Sequence, residues 1–134
     1  MAWTDPKTMG HEPTLYSDWN THVRDNLNYL YSKLRVRAWV NFNGTGTVAI
    51  RGSDNVSSIT DNGAGKYTVN FTAALPSANY AVAGSAGGST FGSPRSFVGN
   101  CLGNPTVSAC SVGSTNDAGT FQDCEQIAVI AVGG

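Results

Sequence analysis

The chain has 134 residues, 16 of them Gly, and 8 Lys and Arg stand against 9 Asp and Glu for a net charge of −1. That length allows one ordinary domain, or a small domain plus an arm, and the 40% hydrophobic content excludes wholesale disorder. The 13 Ser, 13 Thr and 12 Asn work against an all-helical bundle, and no basic block is present to neutralise nucleic-acid phosphates.

Charged residues make up only 13% of the chain, where soluble domains average roughly 25%. A surface of Ser, Thr, Asn and Gly suits chains that sit against other copies. Composition also shifts near residue 35. Residues 1–35 hold four of the nine acids and four of the eight bases, and from Val36 onward Gly, Ser, Thr and Asn dominate. The shift predicts two parts, 1–35 for anchoring and oligomerisation and 36–134 as a β domain.

The opening stretch reads as an extended arm, because Pro6, Gly10 and Pro13 each interrupt regular structure. Trp3 is a large apolar ring on a segment with no core of its own. It either docks into a partner groove or folds back onto the chain's own β domain, and docking is preferred. Met1 to Gly10 has no apolar signal-peptide core. The longest apolar run, Ile127 to Val132, falls well short of the ~20 residues that span a bilayer. Folding in a cytosol without membrane insertion is therefore expected.

A helix is predicted over 14–34, with Pro13 ahead of it and Thr14 or Ser17 as its N-cap. Tyr16, Asn20, Val23, Leu27, Leu30 and Leu34 fall on one stripe at alternating spacings of four and three. So narrow a stripe suits self-association, with Asn20 setting register and strand number. One amphipathic helix lying on its own domain is the alternative.

From Val36 the period becomes two. Val36, Ala38, Val40 and Phe42 share an apolar face, and Arg37, Trp39 and Asn41 point the other way. Further strands are predicted at 47–51, 56–61, 66–71, 80–83, 95–98, 106–112 and 124–132. Asn62-Gly63-Ala64-Gly65 reads as a hairpin loop rich in residues that tolerate positive φ, and 84–94 as a glycine-rich loop. The last strand, nearly all apolar, reads as a central strand buried on both faces. The expected fold is mainly β: an arm and a single helix, then an antiparallel β-sandwich or barrel of about seven or eight strands.

Two stretches carry a resemblance. Ala2-Trp3-Thr4-Asp5-Pro6-Lys7-Thr8, followed by Asn20-Thr21-His22-Val23-Arg24-Asp25-Asn26-Leu27, resembles the N-terminal segment of many bacteriophage virion proteins. In those, an Ala-Trp-Thr arm precedes a helix of this kind. Residues 38–46, then Ser58–Gly63, Lys66–Phe71 and Asn79–Val82, look like the β domain at the C-terminal ends of phage tail-fibre proteins. The resemblance covers most of residues 1–83. It implies a virion location with assembly in the host cytoplasm, and docking to other virion proteins of tail or capsid through Trp3 and Pro6. A homotrimer is the expected assembly. Loops would contact a host-surface glycan or protein, with Phe91 and Arg95 as candidate receptor contacts.

No catalytic constellation stands out. His22 and Asp25 are three apart on the helix and read as surface residues. There is no G-x-S-x-G, HExxH or P-loop. Asp54, Asp61 and Asp117 sit beside turn residues and read as turn formers rather than calcium ligands. Cys101, Cys110 and Cys124 have no metal-ligand spacing and read as buried thiols, a Cys110–Cys124 bridge being the lesser alternative. Trp39, Tyr80, Phe91, Phe97 and Phe121 are candidates for glycan stacking, each read first as core or interface. The expectation is a non-enzymatic, cofactor-free, short tail-fibre-like appendage for host attachment. A capsid decoration protein is the alternative. A glycan hydrolase module is disfavoured, because the β region shows no clear carboxylate pair.

Overall fold

A computed structural model describes residues 16–88 and 94–133, with the backbone alone for 16–19 and 32–34. The expectations for Trp3, Pro6, Phe91 and a Thr14 cap lie outside these residues, as do those for the side chains of Tyr16 and Leu34. The chain divides into two compact units, Met1–Arg35 and Val36–Gly134.

The first unit carries helix α1, Tyr16–Leu34. No Gly or Pro interrupts residues 14–34, and Leu27, Leu30, Lys33 and Leu34 have high helix propensity. Ser17 lies within α1, so it is not the cap the sequence proposed. After Arg35 the β-branched alternation of Val36 and Val40 takes over, and the chain turns extended.

The second unit is an antiparallel sandwich of eight strands. They are β1 (Val36–Asn43), β2 (Ala49–Asp54), β3 (Val56–Asp61), β4 (Lys66–Phe71), β5 (Tyr80–Gly87), β6 (Ser96–Gly99), β7 (Ala109–Thr115) and β8 (Gln126–Gly133). One sheet has the order β2-β1-β8-β5 and the other β3-β4-β7-β6; among the described residues neither closes into a barrel. Between them Val40, Phe42, Tyr67, Val69, Val112 and Ile127 are at most 1% exposed. Phe42 meets Tyr67 edge-to-face at 5.2 Å, the geometry that aromatic quadrupoles prefer.

Asn55, the single residue between β2 and β3, carries the chain from one sheet to the other. Its φ of 54° is left-handed, a region that Asn tolerates. Its amide secures the corner, donating to the Arg37 and Ala73 carbonyls at 3.1 Å and accepting the Ala73 N–H at 2.8 Å. The hairpin β3–β4 turns where the sequence placed it, with Gly63 at φ 103° and Gly65 at φ 67°.

Several details differ from the sequence reading. A bulge between Val36 and Ala38 adds a residue to β1, so Val36 leaves the core face and is 45% exposed. Strand β2 runs 49–54 rather than 47–51. Strand β5 continues through Gly84–Gly87, which the sequence assigned to a loop. Gly84 must be small there, since a Cβ would strike the Ala128 carbonyl and the Phe97 ring. Strand β7 runs 109–115 rather than 106–112, because Thr106 turns the chain first, its N–H donating to the Ala109 carbonyl at 2.9 Å. Strand β8 is central, as expected, but only Ile127, Val129 and Ala131 are buried, while Ile130 is 42% exposed. Ile130 stands on the sheet's outer face, so the apolar run of β8 is not buried on both sides among the described residues.

Candidate functional site

Two surfaces and one buried cluster gather the chemistry of the described residues. The first surface is the stripe of α1. Val23 is 40% exposed, Leu27 49% and Leu30 40%, and Asn20 on the same stripe is exposed. Tyr31, at 66% exposure, lies one turn beyond Leu27 and extends the apolar strip; its spacing of four from Leu27 is the signal that marks it in the sequence. Leu27, Leu30 and Tyr31 line a shallow depression with Arg35. The charged residues Arg24 and Asp25 pair with each other at 3.8 Å.

The second surface is the open face of the sheet β2-β1-β8-β5. Register fixes its membership. Trp39 sits opposite Ile130, and Ile130 opposite Ala83; in the next row Asn41 is opposite Ala128, and Ala128 opposite Ser85. At the near end Val36 pairs with Val132, and Val132 with Ala81. Directly paired residues share a face, so these rows form one continuous strip. A Cβ at Gly52 would sit 3.4 Å from the Trp39 indole, so the ring lies over β2.

The buried cluster joins three loops. The Tyr67 hydroxyl lies 2.8 Å from an Asp123 carboxylate oxygen and 3.0 Å from the Gly44 carbonyl. The same carboxylate oxygen accepts the Gly65 N–H at 2.7 Å, and the Ser114 hydroxyl donates to the Gln122 carbonyl at 2.6 Å. Burial first, and Asp123 next, push the Tyr67 phenol far above its ordinary value. The group is held as a neutral donor, and its arrangement is that of a structural clasp. It brings no base to the Ser114 hydroxyl.

The remaining candidates are placed as follows. Tyr80 belongs to the core, with its hydroxyl 2.9 Å from the Thr106 carbonyl and 3.0 Å from that of Ala109. Phe97 packs against the core, and Phe121 lies under the Lys66 ammonium at 4.7 Å. Trp39 alone of the described stacking candidates is exposed, at 41%. Arg95, the described receptor candidate, is half-buried and donates to the Pro94 carbonyl at 3.3 Å. The three cysteines are free thiols. Burial pushes the Cys110 thiol up to about 11 and raises that of Cys101. Both are therefore thiols rather than thiolates at neutral pH, the weaker nucleophilic form. Among the described residues no three His, Cys, Asp or Glu side chains gather to hold a metal ion, and no helix is long and apolar enough to cross a membrane.

The fold and its surfaces thus describe an amphipathic helix followed by an antiparallel β-sandwich, one sheet of which carries exposed Val36, Trp39 and Ile130 on its outer face together with Asp54, Asn41 and Ser85. No protein-family model matches the chain, and neither a curated protein nor a solved structure matches it.

Proposed function

We propose that this chain is a non-enzymatic structural protein of a bacteriophage virion, a short tail-fibre-like appendage that assembles through α1 and projects its β-sandwich toward the host surface. The observation that carries the assembly is the α1 stripe, with Val23, Leu27 and Leu30 each 40% exposed or more. Burying a fully exposed side chain of this kind contributes roughly 1.5–3 kcal/mol and about half of that is left to gain at each of these positions, so each copy of the helix gains by closing its stripe on another. A seam with apolar residues at alternating four and three spacings closes by knobs-into-holes packing, and a polar Asn20 within it selects the register. The expected assembly is a homotrimer. The virion setting is supported by the resemblance of residues 2–8, 20–27 and 38–46 to phage structural proteins. Trp3 and Pro6 are the proposed docking residues toward tail or capsid.

The short connection between helix and sandwich supports a second reading, a capsid decoration protein. Only Arg35 separates α1 from β1, which leaves no shaft to lift the β domain away from its anchor. Antibody labelling of phage particles separates the two. Label at the tail supports the appendage, label spread over the shell supports decoration, and absence from purified particles overturns both. Assembly is tested on the isolated protein with Leu27→Asp, which places a charge in the seam. The wild-type chain should be oligomeric and the variant monomeric by light scattering.

A further inference from the structure

The chain holds two Asn-Gly pairs, Asn43-Gly44 and Asn62-Gly63. Asparagine cyclises most readily ahead of glycine, which has no Cβ to obstruct the approach of its nitrogen to the preceding side chain. Once hydroxide has taken its proton, the glycine nitrogen bonds to the asparagine Cγ, and the side-chain amide leaves as ammonia. Water then opens the succinimide at one carbonyl or the other, giving aspartate or isoaspartate. The reaction requires a glycine N–H that can be freed, an asparagine side chain that can swing, and room for the ring.

The two pairs differ on each of these points. The Gly44 N–H donates to the Cys124 carbonyl at 2.8 Å, and Gly44 is buried, with the Tyr67 hydroxyl in the way of any Cβ. Asn43 Oδ1 accepts both the N–H and the hydroxyl of Thr45, at 3.1 and 2.8 Å. Ring closure there means pulling the end of β1 away from the β7–β8 connection. Asn62 and Gly63 are exposed instead, and the space on the Cβ side of Gly63 is empty. The Asn62 amide donates to the Thr60 carbonyl at 3.3 Å and the Thr68 hydroxyl at 2.9 Å, and the Gly63 N–H donates to the Asp61 carboxylate at 2.9 Å. All three bonds lie open to water, which replaces them at little cost. A loop tip of this kind opens locally, whereas a buried group opens only with the elements around it.

We propose that Asn62 is a site of spontaneous deamidation in the folded protein and that Asn43 is not. The product adds a negative charge beside Asp61 and removes the donor to Thr68. Isoaspartate also inserts a methylene into the main chain, inside a turn closed by Asn62 N–H to the Lys66 carbonyl and Lys66 N–H to the Gly63 carbonyl, both at 2.9 Å. Gly65, which donates to Asp123 at 2.7 Å, lies in the same turn. The hairpin and its tie to the Asp123 loop therefore loosen as the protein ages.

Peptide mapping by mass spectrometry tests this on the full chain held at mildly alkaline pH, folded and in urea. In the folded chain the Asn62 peptide should gain the mass difference between amide and acid, and split into aspartate and isoaspartate forms, at least about tenfold faster than the Asn43 peptide. In urea the two should react at similar rates. Asn62→Gln, whose longer side chain cyclises far more slowly, should abolish the signal in that peptide. A folded chain inert at Asn62, or one that reacts at Asn43 as fast or faster, overturns the assignment. So does a signal that survives Asn62→Gln.

Discussion

Tyr67 is the residue on which most of one end of the sandwich depends. Its ring fills the core against Phe42, and its hydroxyl reaches the Gly44 carbonyl and Asp123. Tyr67→Phe keeps the ring but leaves both acceptors without that hydroxyl, and a buried group left unpaired costs about 1–3 kcal/mol. Urea denaturation should show a loss in that range with an unchanged slope. A second prediction concerns alkaline pH. The native chain keeps the Cys110 proton up to about 11, whereas an unfolded cysteine releases it near 9. Unfolding above pH 9 thus releases a proton, so stability is fully present below pH 9 and falls as pH rises from 9 to about 11. The loss from this thiol is on the order of 2 kcal/mol. Tyr67 and Tyr80 are both raised from 10, and their contribution falls in the same sense from pH 10 upward. Cys110→Ala should reduce the loss that begins at pH 9 and leave the parts that come from Cys101 and the two tyrosines, as read from stability measured across pH.

At the scale of elements, the hairpin β3–β4 separates two kinds of glycine. Gly63 has positive φ and open space around its Cβ direction. Gly65 has positive φ as well, and a Cβ there would strike the Gln122 N–H group and the Ser114 carbonyl at 2.5 Å. Gly63→Val should therefore cost about 1–2 kcal/mol of left-handed strain, and Gly65→Val clearly more, by chemical denaturation. Equal costs would mean that the Gln122 loop yields freely. The same hairpin shows why some elements were legible in the sequence. Tyr67, Val69 and Phe71 alternate with polar residues, and turn glycines bracket the loop, so pattern and turn chemistry agreed. The second half of strand β5 is not legible in the sequence because Gly84, Ser85 and Gly87 have no apolar side chains to show a period; what holds them is the pairing with β8. The outward turn of Val36 was invisible for another reason. A bulge shifts alternation by one residue, and the sequence carries no mark of it.

For the molecule as a whole, the two candidate surfaces differed in how far the sequence disclosed them. The α1 stripe follows from local spacing, so Asn20, Val23, Leu27 and Leu30 could be named in advance. The sheet face depends on pairing between β1, β8 and β5, which lie far apart in the chain. The apolar run of β8 is consistent with burial on both sides, and only its place in a two-sheet sandwich turns Ile130 away from the core. The Tyr67–Asp123 clasp was hidden likewise, as its partners are 56 positions apart. The proposed behaviour is a chain that joins copies of itself through the exposed α1 stripe. Sedimentation equilibrium of the purified full-length protein tests that claim most directly. The account predicts a species of three times the 14.0 kDa chain mass, shifting toward monomer when Leu27→Asp is introduced. A single species of 14.0 kDa at every concentration, unchanged by that substitution, would contradict it.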